Sequence, residues 1–185
     1  MLRGFCTWVL YKLLGWSKDV TIEFPKKVII CVAPHTSNWD FFIGQLYIHS
    51  EGLESNFLMK KEWFFWPVGI FLKHLGGIPV CRSKKSSMTT NLAHHAIQAD
   101  VFRLCITPEG TRSLRSEWKR GFYFIAMKAN IPIQLYGIDY KKKRIVCKKI
   151  LYPTGNIDKD MTEIKLYFKD FVGKHPENFT IGKIE

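Results

Sequence analysis

One short apolar run, from Val28 to Val32, limits the possible folds of this chain more than any other feature of the sequence. Most of its residues are β-branched and two lysines precede it, which is typical of a buried β-strand. Pro34 ends that strand, because proline has no N–H for the next hydrogen bond of a sheet. We therefore expect a buried strand at 28–32, followed by a turn.

Further strand-like and helix-like segments alternate along the chain, which has 185 residues, enough for one domain with a sizeable core. We predict strands at 56–59, within 76–83, and at 101–106, 131–137 and 144–151, and helices at 41–50, 87–100, 119–130 and 161–172. The last two strands are expected to form a hairpin through lysines 141–143. This alternation predicts a single α/β domain with a mostly parallel central sheet flanked by helices.

The composition describes a folded and strongly basic protein. Hydrophobic residues make up 46% of the chain, which excludes disorder, and 28 Lys and Arg against 16 Asp and Glu give a net charge of +12. Such a charge favours anionic partners: nucleic acid, anionic lipid headgroups, phosphorylated substrates or acidic carrier proteins. Charge alone does not choose among them.

The five cysteines are scattered and form no C-x-x-C pair. Two of them, Cys31 and Cys105, lie in apolar strand-like runs, where cysteine usually acts as a small hydrophobic residue. An odd, scattered set indicates a reducing compartment. We expect no metal site from these residues.

The N-terminal segment, residues 2–16, is apolar and aromatic but is interrupted by Arg3 and Lys12. It is shorter than the roughly 20 apolar residues of a membrane span, and no signal-peptide cleavage site follows it. One helix face can carry Phe5, Trp8, Val9, Leu13 and Trp16. Such an amphipathic helix fits the membrane interface, or it packs on the core of the protein. We divide the chain into an N-terminal amphipathic, membrane-interface segment, 1–24, and the α/β domain itself, 25–185.

A second aromatic segment, 60–72, places Lys60 and Lys61 beside two tryptophans and three phenylalanines. If these side chains are exposed, they form a membrane-docking surface or the wall of an acyl-chain groove. The alternative is a helix that is buried on all sides.

The turn after the first strand contains His35 and Asp40. On one continuous helix these positions would lie roughly 140° apart, so they can meet only if the chain turns between them. Ser37 and Asp40 have the S-x-x-D spacing of a capping box, which predicts a helix that begins after Ser37. The turn is therefore either a capped strand-to-helix junction with a bystander histidine, or a junction that presents a histidine and carboxylate pair.

Polar residues also follow two other predicted strands: Arg82 follows one, and Glu109 and Arg112 follow the next. In open α/β sheets, ligands bind beyond the carboxyl ends of the strands. A histidine with a carboxylate can take a proton from a hydroxyl group, and two arginines can hold a phosphate. The alternative role for these arginines is surface ion pairing.

Four segments over roughly residues 28–138 resemble, in order and spacing, the four sequence blocks of the glycerolipid acyltransferases of the lysophosphatidic acid acyltransferase type. They are His35 with Ser37 and Asp40, then Gly77–Arg82, Pro108–Ser113 and Ile131–Ile133. Lys119-Arg120-Gly121 also resembles the helix start that follows the third block. Departures from the family pattern occur at Pro34, Pro79, Cys81, Thr107 and Leu135. Those in the second and fourth blocks lie near the acceptor and leave its identity open.

The resemblance implies that His35 is the general base and that Asp40 orients it, with direct acyl transfer and no acyl-enzyme. It implies that Glu109, Gly110, Thr111, Arg112 and Arg82 bind the acceptor and its phosphate. Ser37 and Lys119 would support the site.

The resemblance further implies a lysophospholipid-type acceptor with a phosphate headgroup, such as 1-acyl-glycerol-3-phosphate, in phospholipid synthesis. The donor would be acyl-CoA or acyl carrier protein, with no other cofactor and no metal. We expect the protein at the cytoplasmic face of the membrane, peripheral or monotopic, and no nucleic-acid partner. The alternatives are another lipid acceptor, such as a lyso-aminolipid, or a non-catalytic membrane-binding protein.

Overall fold

A seven-stranded sheet runs through the centre of the protein in a computed structural model that describes residues 1–80 and 85–184, with the side chains of 85–87 left out. The strands are β1 (Ser17–Val20), β2 (Lys27–Ala33), β3 (Asn56–Lys60), β4 (Gly77–Val80), β5 (Phe102–Ile106), β6 (Ile133–Asp139) and β7 (Arg144–Leu151). The helices are α1 (Leu2–Thr7), which continues as a π-helical stretch (Trp8–Leu13), α2 (Trp39–Glu51), α3 (Val68–His74), α4 (Lys85–Gln98), α5 (Gly121–Ala129) and α6 (Ile157–Phe168). Short 3₁₀ turns lie at Lys61–Trp63 and Pro176–Asn178.

The strand order is β1-β7-β6-β2-β5-β3-β4. All neighbouring strands are parallel except β6 and β7, which form the predicted antiparallel hairpin. The mostly parallel α/β fold expected from the sequence is therefore confirmed. β2 pairs with β5 on one side and with β6 on the other, so the carboxyl ends of these three strands meet at one edge.

The core has one layer on each face of the sheet, because successive residues of β2 point to opposite faces. Ile29 and Cys31 join a cluster formed mainly with α4, α5 and α6. Val28 and Ile30 join a second cluster, which contains residues of α2 and of the N-terminal segment. All four side chains are at least 97% buried, as the apolar run predicts.

The N-terminal segment belongs to this core in part. Leu10 is fully buried, and the hydroxyl of Tyr11 donates a hydrogen bond of 2.8 Å to Glu51 at the end of α2. Phe5, Trp8 and Leu13 are more than half exposed. The segment thus packs on the protein with one side and leaves an apolar surface on the other.

One expectation for this part of the chain needs correction, and one strand was not predicted. Trp16 does not share the exposed face of Trp8, because the helix ends before Gly15, whose φ of +67° turns the chain and places Trp16 in the core, 7% exposed. Strand β1, which the sequence did not predict, pairs with β7. Residues 17–20 thus add one strand to the edge of the sheet.

The aromatic segment 60–72 is exposed, which excludes the alternative of a helix buried on all sides. A 3₁₀ turn and α3 replace the single helix, and five large apolar side chains are more than half exposed: Trp63, Phe65, Trp66, Ile70 and Phe71. Within residues 1–80 and 85–184, every helix is too short or too polar to cross a membrane.

We predict that Gly137→Ala destabilises the fold by about 1–3 kcal/mol, the usual cost of overpacking. A Cβ at Gly137 in β6 would lie 2.1 Å from Cε1 of Phe171, and that ring is packed against Tyr167 and Phe168. The matched control is Gly44→Ala in α2, where a Cβ meets no atom within 4 Å and higher helix propensity adds up to about 1 kcal/mol. Urea unfolding of both variants measures the difference. Equal stabilities would contradict the packing at Gly137.

Candidate active site

The turn between β2 and α2 brings His35 and Asp40 together, with 3.1 Å between Nδ1 of the histidine and Oδ2 of the aspartate. The helix begins at Trp39, one residue later than the sequence predicted, with Asn38 as its N-cap residue. Half of the predicted capping box forms, because Asp40 accepts a hydrogen bond from the backbone N–H of Ser37 at 2.8 Å. The Ser37 hydroxyl accepts from the N–H of Trp39 at 3.2 Å. The helix cap and the contact with the histidine therefore both depend on the carboxylate of Asp40.

Asp40 is 5% exposed and has donors on both oxygens. Oδ2 also accepts the N–H of Thr36 at 2.8 Å, and Oδ1 accepts the hydroxyl of Tyr140 at 2.7 Å. Burial and the negative charge of Asp40 raise the pKa of Tyr140, so this hydroxyl stays a donor. Because a carboxylate only accepts, Nδ1 of His35 carries the proton, and Nε2 of the neutral ring keeps a free lone pair.

Glu109 follows β5 and fixes the backbone of the histidine. Its Oε2 accepts the N–H of His35 at 2.8 Å, whereas Oε1 is buried without a hydrogen-bond partner among the described residues. Burial, with a contribution from the charge of Asp40, raises the pKa of Glu109 to about 8, although the N–H of His35 opposes this rise. The carboxyl group is therefore protonated at neutral pH, with one oxygen left for a further partner.

The loop after Glu109 depends on glycine. Gly110 has a φ of +64°, and a Cβ there would lie 2.5 Å from Cε of Lys119. Lys119 in turn donates its backbone N–H to the carbonyl of Pro108 at 2.7 Å. Thr111 accepts the N–H of Ser113 at 3.3 Å. Gly110, Thr111 and Lys119 thus shape the loop, and these contacts alone place no substrate.

Of the two arginines that the sequence selected, the structure places Arg112, and Arg82 lies outside the described residues. The guanidinium of Arg112 donates a hydrogen bond to the side chain of Asn38 at the start of α2. Arg112 is exposed and forms no ion pair with a described residue. Its charge is therefore available beside the histidine turn.

Sequence reasoning missed Tyr140 and the C-terminal segment 172–175. Tyr140 directly follows β6, the neighbour of β2, so the strand-end rule that selected Glu109 could have found it. The C-terminal segment reaches the turn through the N–H of His175, which donates to Oγ1 of Thr36 at 3.1 Å. No pattern in the sequence indicates that contact.

The described part of the chain contains no group of three His, Cys, Asp or Glu side chains that could hold a metal ion. The reactive group of the site is the imidazole of His35, whose Nε2 can accept a proton. Asp40 fixes the opposite nitrogen, Glu109 holds the backbone, and Arg112 lies nearby. Such a group can act as a general base towards a hydroxyl group.

Comparisons with known proteins identify a family and a similar fold. Residues 19–138 match the family model described as Acyltransferase, which spans well over half of the chain. The fold is similar to the crystal structure of the 1-acyl-sn-glycerophosphate (LPA) acyltransferase PlsC from Thermotoga maritima, with a TM-score of 0.55 and 18% sequence identity. That similarity covers 83% of this chain and 68% of the other. No curated protein matches the sequence.

We predict that Glu109→Gln changes how stability depends on pH. Between about pH 4.5 and 8 the native protein holds a proton that the unfolded chain has released, so the wild-type protein loses stability as the pH rises. This loss amounts to at most about 1.4 kcal/mol per pH unit. Glutamine keeps an acceptor for the N–H of His35 and cannot ionise, so the variant does not show this loss of stability with rising pH.

Urea unfolding from pH 5 to pH 9 measures this effect, with the exposed Glu117→Gln as the control. The stability advantage of Glu109→Gln over wild type is expected to grow with pH, whereas Glu117→Gln shows no such trend. A constant difference between Glu109→Gln and wild type would contradict the raised pKa.

Proposed function

This chain belongs to the acyltransferase family, and we propose that it moves a fatty acyl group from an acyl thioester to a hydroxyl group of a lysophospholipid. We propose 1-acyl-glycerol-3-phosphate as the acceptor, in phospholipid synthesis. The observation that carries this proposal is the contact of His35 Nδ1 with Oδ2 of the buried Asp40, an oxygen that two backbone N–H groups also hold in place. A histidine held in this way keeps Nε2 available to the acceptor.

In the proposed reaction, Nε2 of His35 takes the proton of the acceptor hydroxyl while the oxygen attacks the thioester carbonyl. The C–S bond then breaks, and the leaving thiolate takes the proton from the imidazolium. Asp40 stabilises the imidazolium between these two steps through Nδ1. Tyr140, Thr36 and Ser37 hold the carboxylate in place. Transfer is direct, so the mechanism uses no nucleophilic cysteine or serine.

The third-block residues would form the acceptor site. We propose that the free oxygen of Glu109 contacts the acceptor and that Arg112 holds its phosphate, with Arg82 as the second arginine. Gly110 and Thr111 shape that loop, and Lys119 packs against it. Support comes from the contacts of Glu109 with His35 and of Arg112 with Asn38, which join this loop to the histidine turn.

We propose acyl-CoA or acyl carrier protein as the donor and no further cofactor. Both donors are anionic, and the chain carries a net charge of +12, which favours their encounter. The same charge favours an anionic membrane surface, where the lipid acceptor resides.

We propose that the protein binds the cytoplasmic face of the membrane through two exposed apolar surfaces. The first comprises Leu2, Phe5, Trp8 and Leu13 of the N-terminal segment, and the second comprises Trp63, Phe65, Trp66, Ile70 and Phe71. Lys60 and Lys61 lie next to the second surface in the sequence. Tryptophans with neighbouring lysines suit the interface between lipid headgroups and acyl chains.

We predict that His35→Ala lowers acyl transfer by about 10²–10⁴-fold, the usual contribution of a general base, and leaves the fold intact. The assay measures thiol release and lipid mass with palmitoyl-CoA and palmitoyl-acyl carrier protein, each tested with lysophosphatidic acid, lyso-aminolipid and other lysophospholipid acceptors. His94→Ala, an exposed histidine on α4, is the matched control. Circular dichroism and urea unfolding check the fold.

Three outcomes are informative. Transfer to lysophosphatidic acid that His35→Ala abolishes supports the proposal. Transfer only to another acceptor would replace the proposed substrate but keep the mechanism. Wild-type turnover by His35→Ala would overturn the mechanism.

We predict that replacing Trp66 and Ile70 together by serine lowers binding to phosphatidylglycerol-containing vesicles at least about tenfold. The two side chains are 81% and 66% exposed, so their loss removes apolar contact with lipid and little contact with the protein. The control is Tyr152→Ser, which removes an aromatic residue that is 65% exposed elsewhere. Vesicle sedimentation measures binding, and equal binding by both variants would contradict this surface.

A further inference from the structure

A C-terminal segment beyond the family match packs directly on the histidine turn. The match ends at residue 138, and the carbonyl of Val172 accepts the backbone N–H of Tyr140 at 2.8 Å. At Gly173, a Cβ would lie 2.8 Å from Oγ1 of Thr36 and 3.1 Å from Cβ of Pro34. Only glycine therefore fits between this segment and the turn.

This packing places Lys174 above two aromatic residues of the site. Its Nζ lies 4.9 Å from the ring centre of Trp39 and 5.9 Å from that of Tyr140. Trp39 precedes Asp40 in the chain, and Tyr140 donates its hydrogen bond to Asp40. An ammonium group over aromatic faces is attracted by their negative potential, so the lysine has a preferred position there.

Lys174 is exposed and forms no ion pair with any residue of 1–80 or 85–184. The same is true of Arg112, whose guanidinium contacts Asn38. Asn38, the N-cap residue of α2, and Trp39, its first residue, therefore each contact one cation, and the two cations come from distant parts of the chain. Neither charge is neutralised by a described carboxylate, and both lie next to the turn that holds His35.

Two unneutralised cations beside a general base suit a doubly charged oxyanion. Both substrates of the proposed function carry phosphate: the acceptor in its headgroup, and the donor in CoA or in the phosphopantetheine arm of a carrier protein. We propose that Lys174 binds a phosphate group of a substrate, together with Arg112, and so contributes to substrate specificity. This inference rests on the proposed function.

The test compares Lys174→Gln, which removes the charge and keeps part of the side chain over the rings, with Lys174→Arg, which keeps the charge. Lys169→Gln, an exposed lysine at the end of α6, is the matched control. Steady-state thiol release is measured with lysophosphatidic acid and with monoacylglycerol, which lacks the phosphate. Each acceptor is tested with palmitoyl-CoA and with palmitoyl-N-acetylcysteamine, which lacks all phosphates.

For Lys174→Gln we expect about a tenfold rise in KM for the phosphate-bearing substrate, with kcat changed less than about twofold, as for loss of one charge-assisted hydrogen bond. Lys174→Arg and Lys169→Gln stay close to wild type. A rise confined to lysophosphatidic acid assigns Lys174 to the acceptor, and a rise confined to palmitoyl-CoA assigns it to the donor. No rise, or an equal change with the phosphate-free substrates, would overturn the proposal.

A binding measurement separates this inference from the proposed function. Glycerol 3-phosphate and CoA are each added alone. At least one of these two probes should raise the Tm of wild type and of Lys174→Arg more than that of Lys174→Gln. If wild type transfers no acyl group to any acceptor, the proposed function fails, and this measurement alone decides on Lys174. Equal shifts for all variants with both probes would overturn it.

Discussion

The carboxylate of Asp40 is the interaction on which the site depends. It is buried at the start of α2 and accepts from the imidazole of His35, from two backbone N–H groups of the turn and from the hydroxyl of Tyr140. A buried carboxylate with fewer donors would be costly, because each oxygen gives up its hydration. One of these four contacts, with Nδ1 of His35, also fixes the tautomer of the histidine. The hydrogen bonds of Asp40 therefore both stabilise the turn and orient the histidine.

Sheet topology explains why the partners of Asp40 come from distant parts of the sequence. Strands β6, β2 and β5 are neighbours and run in the same direction, so Tyr140, His35 and Glu109 all leave the sheet at one edge. This convergence places two carboxyl groups close together. Asp40 accepts hydrogen bonds from four groups. Glu109 accepts only the N–H of His35 on one oxygen among the described residues, and burial raises the pKa of Glu109. The nearby charge of Asp40 adds to this rise.

The segments at both ends of the chain complete this arrangement. Trp16, which follows the N-terminal helical segment, packs edge-on against Tyr140 with 5.1 Å between the ring centres. The C-terminal segment packs against the other parts of the turn, at Thr36 and Pro34. Tyr140 thus connects the exposed N-terminal segment, the C-terminal segment and the carboxylate of Asp40. The four central sequence blocks thus supply His35, Asp40, Glu109 and Arg112, and the two ends of the chain supply side chains and backbone that pack around them.

The sequence by itself determined the α/β fold, the central strand and the hairpin, because apolar period and proline position are local properties. Capping spacing left two alternatives for the histidine turn, and the family resemblance favoured the pairing of His35 with Asp40, which the structure contains. The sequence also selected Glu109 and Arg112 through their place after a strand. It did not predict strand β1 or the burial of Trp16, since a single glycine turn redirects the chain there. Only the tertiary structure decided that Glu109 bonds the backbone of His35, that Tyr140 bonds Asp40, and that Lys174 lies over Trp39. These contacts join residues 70 to more than 130 positions apart, and such pairs leave no periodic signal in one sequence.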